Sequence, residues 1–322
     1  MSHVKIIGLG MACLDILLRA RELPKWEHGT RIDDLGIEGG GPVATALVAA
    51  QRLGVPAGFI GTYGSDRLGR IKLETLVEHG LDVSRAIQRN EPEDQVVLVC
   101  VNSDSGERVF SGKGIWGSQQ LAANELDRGY LISADFLHLD GFHVEAALQA
   151  TRWMHAAGKM VMLDGSATRG KVSESMQKLV SEVDVLICGS GFGEALTGKS
   201  DLLQAGETIL DLGPGIVVQT EGVGGSYTVT REEKFHTPAF KVDVVDTTGA
   251  GDVFHGAYLV GLLCGWDLHS TALFSTAVSA IKCTRFGGRQ GIPGFQKVLD
   301  FLGSRGITLP EVTTQHDLFE IS

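Results

Sequence analysis

The sequence predicts an α/β fold: a mostly parallel sheet flanked by helices on both faces, with a small β-sheet projecting from it as a lid. Three observations predict it. Short β-branched runs alternate with amphipathic stretches at the spacing of strand–helix–strand units, which puts a parallel sheet between two helical layers. Two pairs of strand-like segments have no helix between them, which sets them apart as a separate sheet. No Pro-rich, Ser-rich or charged linker and no internal repeat divides the 322 residues, so a single domain spans 1–322.

The elements follow in order. Val4 to Gly8 reads as a buried strand. The first lid segment, about 13–38, pairs Cys13 to Arg19 with Thr30 to Ile37. Pro42 to Leu53 is small and apolar, a helix packed closely on a sheet. Ala57 to Gly61 is a strand and Asp66 to His79 a helix. The second lid segment, about 95–112, pairs Gln95 to Val101 with Glu107 to Phe110 across the turn Asn102-Ser103-Asp104-Ser105-Gly106. Ala134 to Leu139 and Lys159 to Leu163 are strands flanking the helix Val144 to Ala157. Val183 to Ile187 and Gly215 to Gln219 continue the sheet, and helices dominate from Ala250 onward.

Composition narrows the function. With 43% hydrophobic and 21% charged residues the chain is globular rather than disordered. A net charge of −11 argues against nucleic acid or an anionic membrane as partner, since both would repel it at long range. No stretch approaches the roughly 18 apolar residues of a membrane span. Five cysteines, Cys13, Cys100, Cys188, Cys264 and Cys283, lack C-x-x-C spacing. Together with a first segment that runs straight into a strand, this sets the expectation of a reducing, cytoplasmic setting.

The strongest motif is Asp246-Thr247-Thr248-Gly249-Ala250-Gly251-Asp252. A Gly-x-Gly turn opens a long helix, whose unpaired N–H groups and positive dipole end form an anion site. Asp252 lies in the first turn beside that site. It either accepts a proton from an attacking hydroxyl while the N–H groups hold a transferring phosphoryl group, or it merely complements the helix dipole. Local sequence leaves both readings open. His255, just beyond it, is open to a site role and reads first as structural.

This motif resembles the C-terminal signature of the PfkB, or ribokinase-like, carbohydrate kinases. Gly39-Gly40-Gly41-Pro42-Val43-Ala44-Thr45-Ala46, ending at Arg52-Leu53-Gly54, resembles the N-terminal substrate signature. Asp15 matches the family Asp that hydrogen-bonds sugar hydroxyls, and Thr220-Glu221-Gly222-Val223-Gly224-Gly225 resembles the nucleotide-binding turn. The resemblance runs the length of the chain in the expected order. It implies a ribokinase-like fold and an ATP-dependent kinase acting on a primary hydroxyl of a sugar or sugar derivative. By resemblance, Asp252 is the base and the amides of Gly249, Ala250, Gly251 and Asp252 form the anion hole. Asp15, Gly40, Gly41 and Thr45 contact the sugar, while Thr220, Gly222 and Gly225 hold the nucleotide. ATP and Mg2+ are the implied cofactors, with potassium near Asp246 and Thr248. Exposed lid strands suit a homodimer formed through the lid.

The sequence departs from that family in two places. The usual Asn of the N-terminal signature is Thr45. The positions of the N-x-x-E motif that orders magnesium-bound water read Gly189 and Phe192, leaving Ser190 or Glu194 as substitutes. These losses keep a second reading open, a catalytically weak sugar- or nucleotide-binding regulator, which the retained Asp252 opposes.

Several patterns are decoys. Gly193-Glu194-Ala195-Leu196-Thr197-Gly198-Lys199-Ser200 fits the G-x-x-x-x-G-K-[ST] phosphate loop. The preceding strand ends too early, however, and Glu194-Ala195-Leu196 favours a short helix ending at Gly198, with Ser200 or Asp201 capping the next. Gly8-Leu9-Gly10 starts a dinucleotide fingerprint whose third glycine position is Cys13. No G-x-S-x-G elbow and no H-E-x-x-H occurs. Trp116, Trp153 and Trp266 read as core or interface residues.

Segments 238–246 and 282–293, with the triple glycine, resemble the branch containing bacterial 6-deoxy-6-sulfofructose kinases. Alignment by eye puts Thr30, Gly112 and Gly141 where that branch holds its sulfonate, and none supplies a charge-assisted hydrogen bond. Arg31, Lys113 and His143 lie one or two residues away. The expectation is a relative that prefers a different, neutral, ketose-like sugar, with 6-deoxy-6-sulfofructose as the alternative substrate.

Overall fold

The computed structural model describes residues 4–112, 120–168 and 170–311. Its main sheet has eight strands. In chain order they are β1 (Ile6–Leu9), β4 (Ala57–Ile60), β9 (Phe136–Leu139), β10 (Met160–Ser166), β11 (Val185–Gly189), β12 (Ile216–Thr220), β13 (Ser226–Val229) and β14 (Lys234–Thr237). Across the sheet the order is β14-β13-β12-β11-β10-β9-β1-β4. The strands from β12 to β4 run parallel, and β13 and β14 close one edge as an antiparallel hairpin.

Helices cover both faces, each over its own apolar cluster. On one side lie α1 (Pro42–Arg52), α8 (Ala250–Leu263), α9 (Leu268–Lys282) and α10 (Phe295–Gly303). On the other lie α3 (Arg128–Leu131), α4 (Val144–Ala156), α5 (Glu174–Val180), α6 (Phe192–Thr197) and α7 (Leu202–Leu210). The small residues of α1 have a specific use. A Cβ added at Gly256 of α8 would lie 2.1 Å from the carbonyl oxygen of Ala46, so the two backbones touch only because that position is glycine. Trp266 is buried in this layer and Trp153 packs in the other, while Trp116 lies outside the described residues.

The lid is a four-stranded sheet in the order β3-β2-β7-β8, built from β2 (Cys13–Ala20), β3 (Asp34–Gly40), β7 (Val96–Asn102) and β8 (Arg108–Gly112). β3 begins at Asp34 rather than Thr30, because ladder pairing with β2 starts at Arg19↔Asp34, and it runs on through Gly39 and Gly40. Register sorts the side chains into two faces. Cys13, Asp15, Val97, Arg108 and Phe110 look onto the cleft. Ile16, Leu18, Leu35, Ile37, Leu98 and Val109 form the opposite, apolar face, where Leu35 is 63% exposed and Ile37 60%. Beside the lid lie α2 (Arg67–Val77) and the two-residue strands β5 (Thr62–Tyr63) and β6 (Ile87–Gln88). Among the described residues no helix is long and apolar enough to cross a membrane, and none of the five cysteines forms a disulfide.

Candidate active site

One cavity of about 670 Å³ lies where the carboxyl ends of the parallel strands meet the lid and the N-terminus of α8. Gly249 enters α8 with φ 72, a left-handed conformation that suits glycine, and no side chain caps the helix. Among the described residues the N–H groups of Gly251 and Asp252 find no backbone acceptor. A Cβ placed on Gly251 would meet nothing within 4 Å, so this turn faces open space. The result is a set of unspent donors at the positive end of a dipole.

Asp252 stands in that first turn, half-buried, and lines the cleft. Removal from bulk water, then the nearby Asp164 carboxylate, push its carboxyl up to about 7, against the pull of His255; Asp15 adds to the rise and Arg108 opposes it. Asp164 belongs to the buried run Val161 to Gly165 of β10, at an irregularity in the ladder between Asp164 and Ser166. Ser166 has φ 55, the one positive value outside glycine among the described residues, and its N–H donates to Asp164 Oδ1 at 2.5 Å. The other Asp164 oxygen lies 3.2 Å from His255 Nδ1. Burial opposes charge on both partners, yet their mutual attraction holds Asp164 below the usual carboxylate range and His255 above the usual imidazole one. A charged but mutually neutralised pair therefore sits beneath Asp252. Sequence reading missed Asp164 and put His255 second. The available signal was the Asp252-to-His255 spacing, which puts both side chains on one helix face.

At the lid end, Asp15 projects from β2 beside Gly40. A Cβ on Gly40 would lie 2.1 Å from Asp15 Oδ2, so glycine leaves room for the carboxylate. Burial raises the Asp15 carboxyl to about 6, with Arg289 pulling down and Glu38 pushing up. Gly41 leads into α1, and Thr45 lines the cleft one turn later. The Thr45 hydroxyl accepts from Arg289 Nε at 3.3 Å, and the same guanidinium donates to the Gly40 carbonyl at 2.8 Å. Arg289 is thus an unforeseen brace under the predicted sugar contacts. Arg108, also unforeseen, reaches from β8 to donate to the Thr247 hydroxyl, joining lid to turn.

At the far end, Thr220, Gly222 and Gly225 line the cavity between β12 and β13, facing Ala239, Phe240 and Val242. Ser190 lines it too and donates to Glu221 at 2.7 Å. Glu194 does not line it. Phe192 and Gly193 take the buried side of α6 and turn Glu194 out to solvent, so the substitute for the N-x-x-E carboxylate has to be sought elsewhere. The aligned positions Thr30, Gly112 and Gly141 and the nearby Arg31 and His143 also lie outside the lining, and Lys113 lies outside the described residues. His143 is buried, its Nδ1 accepting the Leu121 N–H at 3.0 Å.

Asp246 and Thr248 are buried beneath the turn. The Asp246 carboxylate accepts the N–H of Thr248 at 2.8 Å and of Gly287 at 2.9 Å. The backbone carbonyls of Asp246 and Thr248 both accept from the ammonium of Lys282. These residues do not fit the potassium ion implied by resemblance, because a side-chain cation already fills the carbonyl cradle.

Residues 5–294 match the pattern of the pfkB family carbohydrate kinases. The chain is 28% identical over 317 residues to the 5-dehydro-2-deoxygluconokinase of Shouchella clausii, covering 91% of this chain and 94% of that protein. It is 31% identical over 288 residues to the aminoimidazole riboside kinase of Salmonella typhimurium, covering 83% and 89%. An E. coli protein assigned as a ribokinase II, solved with ATP and Mg2+, superposes with a TM-score of 0.79 at 22% identity, over 94% of this chain and 99% of its own. The fold is therefore ribokinase-like, and a match running from Lys5 to Gly294 makes the chain a member of the PfkB family of carbohydrate kinases.

Proposed function

We propose that the protein transfers the γ-phosphoryl group of ATP to a primary hydroxyl of a neutral, ketose-like sugar. One observation carries this reading: a carboxyl poised at about 7 stands in the uncapped first turn of α8, in the same cleft as Asp15. Asp15, Gly40, Gly41 and Thr45 hold the sugar. Asp252 takes the proton of the attacking hydroxyl as its oxygen bonds to the γ-phosphorus. The bond from that phosphorus to the β,γ-bridging oxygen breaks and ADP leaves. The N–H groups of Gly249, Gly251 and Asp252 steady the charge on the phosphoryl oxygens, while that of Ala250 is already given to the Thr247 carbonyl at 3.2 Å. Thr220, Gly222 and Gly225 border the nucleotide, whose base lies on the apolar shelf of Ala239 and Phe240. Closure of the lid excludes water.

Bound with ATP, Mg2+ offsets negative charge on the phosphates. Among the described residues no group of three or more His, Cys, Asp and Glu side chains forms a metal cage. That suits an ion carried in on phosphate oxygens, with Ser190 and Glu221 available to hold its water.

A neutral sugar is favoured because the buried cations beside it are already engaged, Arg289 by Gly40 and Thr45 and Lys282 by backbone carbonyls. Arg108, on the cleft, gives one bond to Thr247 and keeps further donors. Two charge-assisted bonds missing from an anionic substituent would lower affinity by roughly a hundredfold or more. The apolar outer face of the lid supports a homodimer. ADP release measured over a panel of neutral ketoses, nucleosides, fructose 6-phosphate and 6-deoxy-6-sulfofructose tests the reading. The highest kcat/KM is expected for a neutral ketose. A preference for the sulfonated sugar overturns the substrate class, and no turnover with any sugar favours the regulator.

A further inference from the structure

Lys282 ends α9 with its side chain inside the protein, and the residue is 0% exposed. A buried ammonium ordinarily sits on a carboxylate, as Lys72 does on Glu93 at 2.7 Å. Lys282 Nζ donates instead to backbone oxygens, that of Asp246 at 3.0 Å and that of Thr248. The Asp246 carboxylate adds the largest attraction on the ammonium, although burial outweighs it. Both oxygens of that carboxylate are committed to amides, so it serves as a nearby charge rather than a contact. Carbonyl oxygens with one adjacent carboxylate are the surroundings of a bare monovalent cation. Here the cation is part of the chain.

The two carbonyls are those of the anion-hole turn. The Thr248 oxygen is the i−4 acceptor that the Asp252 N–H would use to extend α8 backward, and that bond is not made. In a planar trans peptide C=O and N–H point opposite ways, so an ammonium drawing Thr248 oxygen inward turns the Gly249 N–H away from the interior. Gly249 lines the cleft. Lys282 touches neither substrate nor phosphate, and acts through the turn.

We infer that the Lys282 ammonium is a built-in monovalent cation, which sets the anion-hole turn and makes phosphoryl transfer independent of potassium. The inference rests on the anion-hole reading above. It is tested by replacing choline chloride with potassium chloride at a constant ionic strength of about 0.1 M, where screening is unchanged. For the unmodified protein, kcat and melting temperature are expected to stay flat. Lys282→Met removes the charge but keeps the length. It is expected to lower kcat about tenfold to a hundredfold, the worth of a lost charge-assisted hydrogen bond, while the sugar KM moves little. Lys282→Ala opens a space, and potassium or ammonium, but not choline, should restore kcat and raise its melting temperature.

Severalfold activation of the unmodified protein by potassium, a potassium-specific rise in its melting temperature, or a Lys282→Met variant with full kcat would overturn the inference. Should the variants fail to fold, the titration of the unmodified protein decides alone. Because melting temperature is read without turnover, failure to find a sugar substrate stays distinguishable from failure of the built-in cation.

Discussion

Two glycine-rich stretches of this chain lead into helices, and only one addresses the cleft. Thr247 to Asp252 enters α8 without a side-chain cap, and the N–H groups of Gly251 and Asp252 remain unspent. Gly193 to Ser200 matches a phosphate loop by its letters, yet Gly193 lies inside α6, and Gly198 ends that helix with φ 75. Lys199 is exposed, and α7 is capped by Asp201, which accepts the Gln204 N–H at 2.8 Å. The Gln204 donor is spent on that cap and cannot bind phosphate. The contrast teaches that an anion site is defined by what its N–H groups are not already doing.

The largest way to break the contrast is Asp252→Asn. Fold and ATP binding should survive while kcat falls by about two to four orders of magnitude, the usual worth of a general base. Near-normal turnover of the purified variant would reduce Asp252 to a dipole partner.

Gly251→Ala sharpens the contrast by separating stability from chemistry. An alanine in the helix should add roughly 0.5–1 kcal/mol, read as a higher melting temperature. Its methyl group would enter the space in front of the unspent donors, and kcat/KM should fall by about tenfold or more. A stabilised variant with full activity would move the phosphate elsewhere.

The pH profile is the next test. Asp252 must be ionised to accept a proton, and its carboxyl is raised to about 7. Activity should therefore be lost as pH falls below that value, about tenfold per unit, and level off above it. In His255→Asn the limb should move to higher pH, because the imidazole pulls the Asp252 carboxyl down. A shift to lower pH would contradict the charge arrangement.

The other stretch should yield small effects. Asp201→Ala should cost about 1 kcal/mol of stability through loss of its cap, with kinetic constants unchanged. Lys199→Ala should be nearly silent in every assay. A true phosphate loop would lose most of its ATP affinity with that lysine, so a large change in the ATP KM would reinstate the loop.

Much of this was legible in the sequence because it is local. Strand–helix spacing announces the parallel sheet, and the Gly198 stop with a cap at Ser200 or Asp201 can be read letter by letter, the structure choosing Asp201. The hairpin of β13 and β14 is not legible, since its turn, Thr230 to Glu233, holds no glycine, proline or asparagine to mark it. Asp15, Gly40, Gly41, Thr45, Thr220, Gly222, Gly225 and the turn at Gly249 do line one cavity. Arg108, Asp164, Lys282 and Arg289 escaped notice because their partners are remote. Arg289, for instance, meets Gly40 across 249 positions of chain. No periodicity encodes such a meeting. Glu194 failed for the opposite reason: its spacing was nearly right, but helical rotation points it outward.

The alternation of the lid strands has a genetic consequence. In β2, Asp15 looks onto the cleft while its neighbour Ile16 pairs with Ile37 and Leu98 on the far side. Single substitutions can therefore retune sugar choice and self-association separately, because neighbouring codons address opposite surfaces. Loss of one codon within β2 would instead exchange the two sets at once, putting aliphatic side chains over the sugar and an aspartate into the apolar surface. Along this strand, length should be far less free to drift than residue identity.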